Sequence, residues 1–217
     1  MMKNTLRLFA LPVSCAALFL SAGCSGLLPD PEYHETVTYD LGLPEVRKPL
    51  PFPLVIRPFS ADTSARYKML FRSGERLVPD EFARWSRTPA EMLTRYCRIA
   101  FSRSLDRIPA DTPAREYLLT GSVLACETDL TASVSRLYVK CALCDSERDF
   151  QVLWSKTYFI SEPVTISKEA PGKGAADSMR RAAEKLVQDL DQDLSGLADR
   201  LKADGKKIPA ESPAKGK

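Results

Sequence analysis

Four cysteines stand out in this chain: Cys97, Cys126, and the pair Cys141 and Cys144 within CALC. Two thiols separated by two residues serve as a redox pair at a helix N-terminus, or supply half of a zinc site. Here CALC ends the strand-like run RLYVKCALC. Residues three apart in an extended strand lie about 10 Å apart, beyond disulfide reach. An internal bridge therefore requires the strand to end near Ala142. Zinc would need Cys97 and Cys126 to converge there without the paired-knuckle spacing. Reduced core thiols and at least one disulfide both stay open, and sequence does not choose among the pairings. Other chemistry is sparse. The single histidine, His34, lies in a polar leader and reads as a linker residue. No GxSxG, Walker loop or HExxH occurs. GKGA at 172–175 lacks the strand and helix of a phosphate loop and reads as a hinge. In DLDQD, 189–193, a helix puts Asp189 and Asp193 on one face and Asp191 roughly opposite, a solvated exterior rather than a metal cluster. The expectation is no catalytic residue, no metal, no cofactor and no enzyme.

The remaining two cysteines belong to the N-terminus. MMKNTLR carries Lys3 and Arg7 and no acid; LFALPVSCAALFL, 8–20, is uncharged and short for a bilayer span; Ser21, Ala22 and Gly23 are small. This is the three-part plan of a secretory signal over 1–23. SAGC resembles a bacterial lipobox, with Leu20 one place further back than usual. That resemblance implies cleavage before Cys24 and acyl chains, palmitate among them, on Cys24. Two or more such chains anchor a soluble domain stably. Ser25, rather than Asp, favours the outer membrane by the enteric sorting rule.

Lys3 and Arg7 take two of the 31 basic residues, so the rest of the chain carries 29 against 28 acids. A balance so near neutrality gives no field to attract nucleic acid. The elements follow from pattern. Residues 24–36 form a tether; TVTYDLGL, 36–43, reads as an edge strand and LVIRPF, 54–59, as a buried one. The Pro-rich 46–53 is a crossing connection. A hairpin spans 67–79 about Ser73-Gly74. Thr88, Pro89 and Glu91 open a helix over 87–109, with Leu93, Tyr96, Cys97, Ala100, Phe101 and Leu105 on its apolar side. Its Arg95, Arg98 and Arg103 read as a solvated outer face. Runs 116–130, 134–144 and 150–160 form an antiparallel meander. After a loop over 168–175, a second long helix spans 177–201, its stripe running through Met179, Ala183, Leu186, Leu190, Leu194, Leu197 and Leu201. The fold class is α/β: a single-domain sandwich over 37–202, with a mixed, mostly antiparallel sheet and two main helices. A Pro/Lys-rich tail, 203–217, follows and is expected to be disordered.

Between the hairpin and the first helix, Phe71, Phe82 and Trp85 stand close to Arg72, Arg76, Arg84 and Arg87. Aromatics and arginines are enriched at interaction hot spots, so Arg72, Arg84, Trp85 and Arg87 are the candidate partner contacts. A core role for Trp85, packed before the capped helix, is the competing reading. The run Phe71-Arg72-Ser73-Gly74, then Phe82, Arg84-Trp85, Pro89 and a leucine-bearing helix, with the early YDL at 39–41, resembles the ABC-type transport auxiliary lipoproteins, the PqiC-like family.

That resemblance implies a non-enzymatic outer-membrane lipoprotein facing the periplasm. It would dock an MCE-domain protein, and with it an ABC transporter complex, in lipid transport between membranes. It also implies assembly of several copies as a ring. Two other functions stay open: an envelope assembly factor regulating a cell-wall synthase, and a lipid-binding carrier, which would need a closed apolar cavity.

Overall fold

The computed structural model describes residues 35–61, 66–105, 116–167 and 170–205. Cys24, His34, the signal over 1–23 and most of the tether and tail lie outside them. The chain from Thr36 onward forms its own compact unit.

Eight strands make one mixed sheet: β1 (Val37–Tyr39), β2 (Leu54–Ile56), β3 (Ser60–Ala61), β4 (Lys68–Ser73), β5 (Arg76–Trp85), β6 (Tyr117–Asp129), β7 (Val134–Asp145) and β8 (Gln151–Pro163). Among the described residues three helices accompany it: α1 (Pro89–Ala100), α2 (Ser102–Leu105) and α3 (Pro171–Gly205). The sheet order is β1-β5-β4-β6-β7-β8, with β2 and β3 also paired to β6. The long pairings β4/β5, β6/β7 and β7/β8 are antiparallel, and the short ones are parallel. The expected α/β sandwich is thus the observed architecture.

Why the sheet has one buried face is clearest in β7. Ser135, Leu137, Val139, Cys141 and Leu143 are buried, while the residues between them are more open. This period of two turns one row of side chains onto the helices and the other away. On the helical side, Leu93, Tyr96, Cys97 and Ala100 of α1 meet Met179, Ala183, Leu186, Leu190 and Leu194 of α3 in one core with Leu119, Leu137, Val139 and Leu143. Two polar contacts fix the layers. Glu184 of α3 accepts from the Tyr96 hydroxyl at 2.9 Å and pairs with Arg47 of the Pro-rich crossing. Asp193 accepts from Tyr158 at 2.7 Å and from Lys156 at 2.6 Å, tying α3 to β8.

Local sequence decides most boundaries. The Thr88 side chain accepts from the Glu91 amide and the Glu91 carboxylate accepts from the Thr88 amide, a reciprocal cap, with Pro89 opening the helix. The first helix is shorter than the expected 87–109: α1 stops at Ala100, and α2 follows after Phe101. The hairpin loop is Gly74-Glu75, one residue later than expected, because Gly74 supplies the positive φ of 60° and Ser73 pairs with Arg76. β5 also continues to Trp85, so 80–85 is strand.

The expected loop over 168–175 is corrected in part. The last helix begins at Pro171, so GKGA is its first turns and not a hinge. Both glycines are there for close packing. A Cβ on Gly172 would lie 2.7 Å from Ala83 and the Tyr39 ring, and one on Gly174 would collide with the Thr165 carbonyl. No helix among the described residues is long and apolar enough to cross a membrane.

Candidate functional site

The thiol pair resolves by register. β7 runs on to Asp145, so Cys141 and Cys144 sit on opposite faces of one strand and do not bridge. Cys97, Cys126, Cys141 and Cys144 are all free. Burial pushes the Cys141 thiol up to about 12 and the Cys97 thiol higher still, with neighbouring Cys141 adding to the second. Such thiols are inert core residues. Among the described residues no group of His, Cys, Asp and Glu could hold a metal. DLDQD is split as the helix requires: Asp189 pairs with Lys185 and Asp193 with Lys156, while Asp191 lies towards Arg47 and Lys48.

The other face of the sheet carries the candidate site. Among the described residues no helix covers it. A groove of about 690 Å³ runs across β4, β6 and β7, lined by Lys68, Leu70, Arg72, Glu127, Arg136 and Tyr138, among others. Its floor is an ion network. Arg72 Nε and Nη2 donate to the two oxygens of Glu127 at 2.6 and 2.9 Å. Arg136 lies 3.6 Å from Glu127 and 2.7 Å from Asp129. Glu127, by hydrogen bond and then by charge, holds Arg72 protonated above its ordinary range. The amides of Ala132 and Thr131, with Arg136 and Arg72 behind them, outweigh burial and hold the Asp129 carboxyl below its usual range. Both carboxylates are buried, and both arginine side chains are 28% exposed, so the cations face the groove.

Apolar groups flank the network. Leu124 is 57% exposed where the register shifts between Val123 and Ala125, and Phe159 is 70% exposed. Phe159 pairs across the strands with Tyr138, their rings edge to face with centroids 5.1 Å apart. Leu77 and Phe82 of β5 are also exposed.

The four predicted contacts separate. Arg72 is on this face, gripping Glu127. Arg84 and Phe82 alternate with buried Ala83 and Trp85 and so point to the same face. Trp85 is 4% exposed and belongs to the core, which removes it from the partner contacts and supports its competing reading. Arg87 follows the end of β5 and lies at the start of α1, beside a different groove. Glu127, Asp129 and Arg136 escape the sequence reading, yet the signal was present. A four-residue loop, 130–133, places Asp129 opposite Val134 and hence Glu127 opposite Arg136.

The fold is shared with solved proteins. The protein XCC0632 from Xanthomonas campestris, of the DUF330 family, superposes with a TM-score of 0.59 at 18% identity, covering 79% of this chain and 99% of that one. A second, uncharacterized protein matches with a TM-score of 0.52 at 8% identity, over 72% of this chain and 99% of the other. At such identities the likeness is one of fold. No family model matches the chain, and no curated protein matches it.

Proposed function

We propose that this protein is a lipid-anchored, non-enzymatic docking component of the bacterial envelope, which binds an MCE-type lipid transporter through its uncovered sheet face. The observation that carries this reading is the asymmetry of the sandwich. Helices cover one face over most of the sheet, while the other keeps Leu124, Phe159, Leu77 and Phe82 exposed around a charged groove. A surface of aromatic and aliphatic groups around fixed arginines suits a protein partner.

The anchor is the Cys24 lipid, and the resemblance to the auxiliary lipoproteins supplies the partner class: an MCE-domain protein attached to an ABC transporter, reached across the periplasm from the outer membrane, with copies of this chain arranged as a ring. The lipid fixes one end and the α/β domain holds the conduit. Co-purification of the full acylated chain from native membranes tests the docking role. The MCE-domain protein is expected in the eluate, and Leu124→Glu with Phe159→Lys is expected to remove it while the domain stays folded. Retention of the partner by that double variant would move the surface elsewhere.

A further inference from the structure

Pro58-Phe59 and one side of α1 enclose a second groove, of about 620 Å³, distant in role from the sheet face. Its floor is apolar: the Phe59 ring is buried and Ile99 is half-buried. Phe59 is pinned there, its amide donating to Thr94 Oγ1 at 2.8 Å. Three guanidiniums stand around the floor, from Arg87, Arg95 and Arg98. Arg98 is held in place by Nε and Nη2, which donate to the Ile56 carbonyl at 3.2 and 2.9 Å. Arg87 and Arg95 are exposed and make no ion pair within 4 Å of a described carboxylate, although Arg87 lies near enough to Glu91 for their charges to interact. The one carboxylate in the lining, Glu91, is turned to the helix start, accepting from the Thr88 amide and hydroxyl at 3.0 and 2.9 Å. The outer face of α1 that reads as merely solvated in sequence is therefore a cationic rim around an apolar floor.

We propose that this groove binds the anionic headgroup of a membrane phospholipid, with Arg87, Arg95 and Arg98 around the phosphate and Phe59 and Ile99 under the adjoining acyl chains. Guanidinium forks match phosphate oxygens in geometry and charge. A free phosphate would leave the apolar floor uncovered, whereas an amphiphile covers floor and rim together. The preference for lipid over an acidic peptide rests on the anchor proposed at Cys24. The roughly 13 residues between Cys24 and β1 reach at most about 45 Å, so a bilayer surface is always within range. The anchored domain would then lie on its membrane by this groove, leaving the opposite face of the sheet for its partner.

Residues 24–217 carrying Cys24→Ser, which removes acylation, are sedimented with vesicles of phosphatidylcholine alone or with phosphatidylglycerol added. Binding is expected only with phosphatidylglycerol. Arg87→Ala with Arg95→Ala is expected to lower partitioning on the order of 30-fold, since each basic residue at an anionic surface contributes about fivefold. Ile99→Ser is expected to weaken binding without a change of charge. Lys140→Ala with Arg76→Ala, which removes two charges elsewhere, is expected to leave it unchanged. Equal binding to both vesicles, no binding, or equal loss with the Lys140 and Arg76 pair would overturn the proposal. Binding of an acidic amphipathic peptide without binding of vesicles would also overturn it, giving the groove to a protein. Because the acyl chains are absent throughout, such failures leave the Cys24 reading standing; intact-mass measurement of the native chain tests that separately.

Discussion

Arg72 on β4 and Glu127 on β6 meet across two adjacent parallel strands, two guanidinium nitrogens on two carboxylate oxygens at 2.6 and 2.9 Å. β4 and β6 share only the short register Phe71 with Thr128 and Arg72 with Asp129, so side chains do much of the joining there. Arg136 on β7 extends the pair to Asp129. The groove floor is therefore also the seam between the hairpin and the meander. Glu127→Ala leaves Arg72 without its main carboxylate partner and should lower the midpoint of urea unfolding. Glu127→Gln, which keeps one acceptor, should cost less. A neutral outcome for Glu127→Ala would mean that the backbone ladder alone holds the seam.

At Gly174 helix propensity and packing act in opposite directions. Helix propensity favours Gly174→Ala, by about 1 kcal/mol at an interior position. The collision of the new Cβ with the Thr165 carbonyl opposes it, because a backbone atom does not move aside cheaply. The expected result is net destabilisation of about 1–3 kcal/mol. Stabilisation would restore the view of GKGA as an unconstrained segment.

The cap of α1 has a pH signature. Hydrogen bonds from the Thr88 amide and then its side chain hold the Glu91 carboxyl below its ordinary value. A group depressed in the folded state stabilises fully above its unfolded pKa and loses that contribution as pH falls through the folded one. The stability gap between wild type and Glu91→Gln should thus be constant near neutrality and close below about pH 4. Thr88→Ala should cost about 1 kcal/mol at pH 7. A gap that persists at pH 3 would show that Glu91 acts without its charge.

The thiols give a direct readout of burial. Cys97 and Cys141 are almost wholly protonated at neutral pH and closed to solvent, so a maleimide at pH 7 should leave both unlabelled in the native domain. Labelling should appear with the unfolding transition in urea. Elemental analysis of the same domain should show no stoichiometric zinc. Rapid native labelling of Cys97 would contradict its place between α1 and β7, and one zinc per chain would contradict the inert reading of the thiols.

Much of this fold is legible in the chain because its elements announce themselves locally. The Thr88-Pro89-Glu91 cap, the leucine stripe from Met179 to Leu197 and the three runs of the meander all rest on spacing within one segment. What the sequence hides depends on contacts between segments. GKGA looks flexible until Tyr39, Ala83 and Thr165 are brought against it. Trp85 looks like an anchor for a partner until strand alternation puts it beside Ala83 in the core. The α1 arginines look scattered until Pro58-Phe59 is laid along the helix and Arg87 joins Arg95 and Arg98 around one floor. Arg72 and Arg84 share one sheet face, whose remaining members come from strands far along the chain.

The docking role is tested most directly by isolating the full acylated chain from native membranes and identifying what it carries by mass spectrometry. An MCE-domain protein should co-purify with the wild-type chain. Arg84→Glu, an exposed charge reversal that should change stability by under about 0.5 kcal/mol, should weaken the association. Leu124→Glu with Phe159→Lys should abolish it while urea unfolding remains cooperative. Absence of any MCE-domain protein from the wild-type eluate would contradict the account.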